Sequence, residues 1–242
     1  GRLLLLHAEA VAASAQQLDD RLLALRDPDE AAGRLRLGAS TTLSQYVLPG
    51  LLPAFQARHP NVQLTLLNAN SERIAEALLR GELDLGFVEG RTKSRDLHYE
   101  LLVPDELVAV RRATPAGPPP APLSLAIALV HPLVLRERGS GTLEVLEFAL
   151  RELKIKLNGL KVAFYFDNTE AIKAYLEAAP EALGFVSRRA LDRELAAQRL
   201  EIVSIEGLHL PRQFEAVWVQ GQPLARAAQR FLSFSHGQFK AQ

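Results

Sequence analysis

An α/β fold in two lobes is what this sequence predicts, and three observations carry the expectation. From Gly33 the pattern runs strand, helix, strand, helix, strand; after residue 123 the same rhythm begins again; and a long extended stretch at 97–113 lies between the two sets, able to pass from one lobe into the other. Alternation of this kind argues for parallel strands with crossover helices, because a parallel neighbour can be reached only by a connection long enough to return the chain.

The elements follow in order. Leu4, Ala8, Val11, Ala15, Leu18, Leu22 and Leu25 step by four and three, the a/d rhythm of a coiled-coil helix. An amphipathic helix packed on its own domain is the alternative reading of that stripe. Asp27-Pro28-Asp29 ends it, since proline removes a donor and restricts its predecessor. "RLRLGA" then alternates as a strand, and "LSQYVLPGLLPAFQARH" carries Leu43, Tyr46, Val47, Leu51 and Phe55 at helical spacing. "VQLTLLNA" alternates, "SERIAEALLRG" is a short helix closed by Gly81, and "LDLGFVEG" is an apolar strand. "LHYELLVPDELVAVRRA" reads as extended with an interruption at Pro104. By composition "TPAGPPPAPL" (114–123) is either a linker or a surface loop. The second set comprises "HPLVLRE", "GSGTLEVLEFALRELK", "KVAFYFD", "NTEAIKAYLEAA" and "ALGFVS", followed by returning strands in "RLEIVSIEGL" and "RQFEAVWVQ". A closing helix presents Leu224, Ala228, Phe231, Leu232 and Phe234 on one side.

Composition narrows the function classes. The chain has 242 residues and is 48% hydrophobic, enough for a substantial core. A formal net charge of zero offers no duplex-binding face, and the absence of cysteine excludes disulfides and thiolate chemistry. No apolar run reaches the roughly 18 residues of a membrane span. No signal peptide is recognisable, and the chain lacks methionine altogether, so it reads as a fragment or an altered sequence with a segment expected upstream. Enzyme readings gather no support: the six histidines are scattered, no HExxH or GxSxG occurs, and "GSGT" lacks the lysine of a phosphate-binding loop. Asp84 reads as a turn or packing residue, and the single Trp218 as core.

Three strand-to-helix junctions share one design of small and hydroxyl residues: Gly38–Thr42, Arg138–Thr142 and Asp167–Thr169, with "NANS" (68–71) a weaker fourth. A helix start leaves backbone N–H groups unpaired and carries the positive end of the dipole. Hydroxyls there can cap the helix or hold a ligand. For one junction alone, capping is the simpler role. Several at the carboxyl ends of strands in two lobes point to a ligand cleft.

With these motifs in order, the chain resembles the LysR-type bacterial transcriptional regulators, over their linker helix and effector-binding domain. "GRLLLLHAEAV" is similar to the linker helix, and "GRLRLGASTTLSQYVLPGLLPAFQARHPNVQLTLL" to the first strand–helix–strand. "GELDLGFVEG", "HPLVLRERGSGT" and "NTEAIKAYLEAAPEALGFVS" follow in register. The resemblance implies two Rossmann-like lobes joined by two crossover strands, as in periplasmic binding proteins, after a long coiled-coil-type helix (1–30). Lobe one would be 34–104 with 208–242, lobe two 105–207, and 114–123 a loop within lobe two. It implies a small effector, a carboxylate or other small anion, held by Ser40, Thr41, Thr42, Ser71, Glu89, Ser140, Thr142, Asn168 and Thr169, with Thr41 acting chiefly as a cap. Glu89 would repel an anion unless paired, and Arg138 is the expected partner. The family often continues "GSGT" with arginine where Leu143 stands here, which weakens the case for a strongly anionic effector. Further implications are a cytoplasmic homodimer or homotetramer, no cofactor, no metal, no catalysis, and contact with DNA only through a winged helix-turn-helix before Gly1, with RNA polymerase a further partner. A solute-binding protein of a transport system shares the fold and is the alternative.

Overall fold

The computed structural model of the chain describes residues 33–114 and 121–240, together with Val11. The expected coiled-coil helix therefore lies outside the described residues except for Val11, which is exposed, as do residues 115–120 of the Pro-rich stretch. Leu123, which follows that stretch, bridges Ile205 and packs on the second lobe.

The first lobe begins with β1 (Gly33–Ser40), α1 (Thr41–Tyr46), α2 (Leu52–Arg58), β2 (Val62–Ala69), α3 (Ser71–Leu79) and β3 (Leu85–Val88). β4 (Leu97–Arg112) crosses to the second lobe. There follow α4 (Leu125–Ala128), β5 (Leu133–Arg136), α5 (Gly141–Glu152), β6 (Val162–Phe166), α6 (Thr169–Ala178), β7 (Leu183–Ser187), α7 (Asp192–Ala196) and β8 (Leu200–Val203). β9 (Leu210–Val219) returns, and α8 (Arg226–Lys240) closes the first lobe. The strands run β2-β1-β3-β9-β4-β7-β5-β6, with β8 on β4. β1 is parallel to β2 and β3, and β5 to β6 and β7, while β4 and β9 are antiparallel to each other from Leu97↔Val219 to Leu107↔Leu210. Two parallel half-sheets are thus joined through one antiparallel crossover pair, the architecture the motif order implies. Among the described residues no helix is long and apolar enough to cross a membrane.

Each half has its own core. Leu35, Leu37, Phe55, Phe87, Phe214 and Phe231 are fully buried in the first, where Phe231 meets Phe55 at 4.9 Å and Phe87 at 5.7 Å between ring centres, both edge-on. The closing helix contributes Ala228, Phe231, Leu232 and Phe234 as its periodicity requires. Leu133, Leu135, Leu146, Phe185, Leu208 and Leu210 belong to the second core, so β9 enters from that side before crossing.

The structure departs from the sequence reading at three places. The helical pattern 43–59 is broken by a 3₁₀ turn, Leu48–Gly50, because Pro49 and Pro53 lack the N–H that a continuous helix needs. β4 is not interrupted at Pro104, which stays in register with Gln213 on an exposed face; the irregularity lies between Leu101 and Val103. β2 alternates in sequence yet exposes Leu66 and Leu67, since it is an edge strand paired only with β1. Asp84 packs against Arg36, accepting from its guanidinium at 2.6 Å and its backbone N–H at 2.7 Å, and Trp218 is half-buried against the ring of His98.

Candidate functional site

Strand ends of the two lobes face each other, and the junctions fall on this seam. Three of the four are capped by their own side chains: Asn70 accepts from Arg73 N–H, Ser140 from Thr142 N–H, and Asn168 from Ala171 N–H. The first junction differs. Ser40 makes no capping bond to α1, and its hydroxyl donates instead to Glu89.

Glu89 is the centre of a buried polar belt. Its second carboxylate oxygen lies 3.4 Å from Arg212, whose Nε is 2.6 Å from Asp105 and whose Nη1 donates to the Thr142 hydroxyl at 2.9 Å. The side chains of Glu89, Asp105 and Arg212 are each 1% exposed. Asp105 also accepts from Ser187 at 2.8 Å. Beside them Arg136 reaches across the seam to the Thr41 hydroxyl at 3.2 Å, holds the Asp167 carbonyl at 3.0 Å, and pairs with Glu137 at 2.8 Å. Thr41 is therefore a contact between lobes, not the cap expected of it. The expected partnership of Glu89 with Arg138 is also corrected. Arg138 is exposed, and its carbonyl accepts from Asn70 at 3.3 Å; Arg212 takes the role because β9 brings it beneath the seam.

Backbone contact tightens the same seam. Within the first lobe the Ser71 hydroxyl donates to the Glu89 carbonyl at 2.7 Å, and across the seam Glu72 N–H donates to the Gly139 carbonyl at 3.2 Å. Gly141 lies directly on the Glu89 backbone: a Cβ there would come within 2.6 Å of the carbonyl carbon. On one rim Glu144 of α5 accepts from the N–H groups of Arg91 at 3.0 Å and Thr92 at 2.6 Å. On the other rim Tyr46 donates to Glu170, and Lys173 holds Glu170 at 2.9 Å and the buried Glu194 at 3.0 Å. Burial and the Glu170 hydrogen bond push the Tyr46 phenol far above its ordinary range, so it remains the donor. Burial raises Glu170, but the Tyr46 hydroxyl and the Lys173 ammonium outweigh it, and its carboxyl stays below the ordinary value.

The sign of that shift makes a prediction. A carboxylate whose folded value is depressed contributes stability above its unfolded value and loses it as pH falls through the folded one. Wild type is therefore expected to exceed Glu170→Gln in stability at neutral pH and to converge with it as pH drops below 4.5, the difference staying small because the group is more than half exposed. Urea titrations across that range check it; a gap that widens in acid contradicts the assignment.

Beside the belt a cleft of about 800 Å³ opens between α3, α5 and the crossover strands. Ser71, Glu89, Arg138 and Ser140 line it. Glu72, Glu76, Glu144, Glu147 and Glu215 make its wall acidic, with Lys93 and Arg138 the lining cations. Five buried polar atoms have no partner among the described residues: Thr42 Oγ1, Arg136 Nη1 and Arg212 Nη2 in the belt and its flank, and two acceptors outside it, Gln45 Oε1 on α1 and Glu194 Oε2 on α7. Buried polar groups are almost always satisfied, so each calls for a partner, whether water or a ligand. Sequence reasoning missed Arg136, Arg212 and Asp105. The available signal was a charge inside an apolar or alternating strand ("HPLVLRE", "LPRQFEAV"), where burial demands pairing. Thr169 is buried at the start of α6. No group of histidines and carboxylates among the described residues could hold a metal ion.

Fold and site define a two-lobe domain with its polar residues gathered on the seam, built to hold a small molecule between lobes. Residues 28–240 match the family model described as the LysR substrate binding domain, and the chain belongs to that family of effector-binding domains. Over 211 residues it is 32% identical to the uncharacterized HTH-type transcriptional regulator YeiE of Escherichia coli (strain K12), covering 85% of this chain and 68% of that protein. Over 206 residues it is 34% identical to the phosphonates import ATP-binding protein PhnC of Anaeromyxobacter dehalogenans (strain 2CP-C), again 85% of this chain but 41% of that protein. Among solved structures it is similar to the Synechocystis PCC6803 CcmR regulatory domain in complex with 2-PG, with TM-score 0.76 and 26% identity over 86% of this chain and 98% of that one. The effector-binding domain of QuiR in complex with shikimate shares the fold, with TM-score 0.73 and 17% identity over 86% and 98% of the two chains.

Proposed function

We propose that this chain is the sensing part of a transcriptional regulator, in which a small acid bound between the lobes changes their arrangement. The observation that carries this reading is the buried belt, which joins Thr41 to Arg136 and Glu89 through Arg212 to Thr142 while leaving three polar atoms without partners. A ligand that completes the belt binds one lobe arrangement better than another, and only that difference can shift the equilibrium. The moving units are 34–104 with 208–242 against 105–207. The change is passed on through self-association by the stripe Leu4 to Leu25, and to DNA through a separate DNA-reading domain, with RNA polymerase the further partner. The role is non-catalytic, requires no cofactor, and is exercised in the cytoplasm. Relatives that bear transcriptional-regulator names and neighbours holding 2-PG and shikimate support it.

Titration calorimetry with a panel of organic acids, inorganic anions, polyols and amines tests the reading on wild type and Thr42→Val, since the Thr42 hydroxyl has no partner among the described residues. At least one acid is expected to bind, and loss of the Thr42 hydroxyl to weaken it about tenfold, the order of one buried hydrogen bond to a charged group. Equal affinity in the variant overturns the assigned site. No binding across the panel overturns the sensing role.

A further inference from the structure

We propose that the Glu89 carboxylate occupies the seat that a ligand's acid group takes, and that Glu89 thereby determines which anions the cleft admits. The inference rests on the reading of the seam as a ligand site, and three observations extend that reading to Glu89.

Glu89 is already bound as a ligand would be. It is carried by the strand end of one lobe, its side chain is 1% exposed, and it accepts from the Ser40 hydroxyl while facing the Arg212 guanidinium at 3.4 Å. Second, the atoms left over in the belt and its flank point to an acceptor. Arg136 Nη1 and Arg212 Nη2 can only donate, and the Thr42 hydroxyl can donate as well, so what completes them is an oxygen-rich group; the two unpartnered acceptors, Gln45 Oε1 and Glu194 Oε2, are not members of the belt. Third, the cations of the belt are already matched by carboxylates. Arg136 is paired with Glu137, Arg212 is shared between Asp105 and Glu89, and Arg189 stands 3.8 Å from Asp105, so three cations face three carboxylates. A further anion beside Glu89 would meet an unscreened like charge in a medium that magnifies repulsion.

The two anions therefore compete. Glu89 also lines the open cleft, so rotation of its side chain carries the carboxylate out of the belt and vacates Ser40 and Arg212 for the incoming acid. The displaced group then faces an acidic wall, with Glu144 and Glu215 among its carboxylates, which opposes the exchange. An anion of one charge replaces what Glu89 removes. A dianion brings an additional charge that nothing in the belt balances. Glu89 thus makes the cleft selective for single acids over doubly charged ones.

Nuclear magnetic resonance titration of wild type, Glu89→Gln and Glu89→Asp with acetate, sulfate and 2-phosphoglycolate tests this, after thermal melts establish that each protein is folded. Glutamine retains an acceptor for Ser40 and removes the competing charge. Its affinity for acetate is expected to rise at least tenfold over wild type, and its affinity for sulfate and 2-phosphoglycolate by a larger factor. Aspartate, shorter by one methylene, keeps the charge but withdraws it from Ser40 and is expected to fall between the two. Equal or weaker anion binding in Glu89→Gln overturns the proposal, and so does the absence of anion binding in every protein. If Glu89→Gln does not fold, Glu89→Asp decides: anion binding no tighter than wild type overturns it. If neither variant folds, Glu89 is a structural group and the proposal also falls. Binding of a neutral or amine compound from the wider panel, with no response to anions, defeats this inference while leaving the sensing role intact.

Discussion

Arg212→Met is expected to destabilise the domain by about 3–5 kcal/mol, the cost of stripping one partner from a buried ionic network. Arg212 is 1% exposed at its side chain and serves three groups: Asp105 at 2.6 Å, Glu89 at 3.4 Å and the Thr142 hydroxyl. Methionine matches much of its length but takes the cation from the buried Glu89 and leaves Asp105 only Arg189, at 3.8 Å. For a chain of this size the loss corresponds to a fall in Tm of roughly 6–20 °C. Urea denaturation gives the free energy directly. Adding Glu89→Gln to the variant removes the charge left without a cation and is expected to restore part of the loss, because the two sites are in contact and are not additive. A cost below about 1 kcal/mol, the range of exposed pairs, would mean that the belt is hydrated in solution.

Gly141→Ala is expected to hold the lobes apart. The added methyl would stand 2.6 Å from the Glu89 carbonyl carbon and 2.9 Å from its Cγ, with the carbonyl oxygen closer still. The obstruction is backbone, so no rotamer change relieves it. The first seam bonds to fail are Glu72 N–H to Gly139 at 3.2 Å and Asn70 to the Arg138 carbonyl at 3.3 Å. A larger radius of gyration by small-angle scattering, and at least a tenfold loss of affinity for any ligand that contacts both lobes, are the expected results. Gly159→Ala is the matched control: nothing lies within 4 Å of its added methyl, and it should change neither measurement. Unchanged scattering and affinity in Gly141→Ala would show that closure does not depend on this approach.

Much of this molecule is legible residue by residue. The alternation of "RLRLGA", the closing-helix stripe through Phe231, and the hydroxyl-rich junctions all lie where the sequence puts them. The break at Pro49 is itself written in the sequence, since Pro49 and Pro53 lack the N–H that a continuous helix needs. The uninterrupted β4 at Pro104 and the exposed face of β2 were less legible, because each depends on what neighbouring strands supply and the residues themselves are compatible with either outcome. The site divides the same way. Ser40, Thr41 and Thr42 stand out because they end a strand, but Arg136 and Arg212 do not, since an arginine in an alternating strand ordinarily faces water. Arg138 was the nearer cation in sequence to the glycine-rich junction; Arg212 is the one that β9 delivers to Glu89.

By itself, the sequence determined the order of strands and helices, the two-lobe class, and the junctions at which polar groups collect. These follow from spacing over a few residues, where backbone geometry leaves few alternatives. Only the tertiary structure decided which hydroxyl caps its own helix and which crosses the seam. Ser140 and Asn168 find backbone donors two and three residues away, whereas Ser40 and Thr41 are engaged by Glu89 and Arg136 from distant parts of the chain. A hydroxyl is a cap or a contact according to which partner is nearest, and that distance exists only once both lobes are in place.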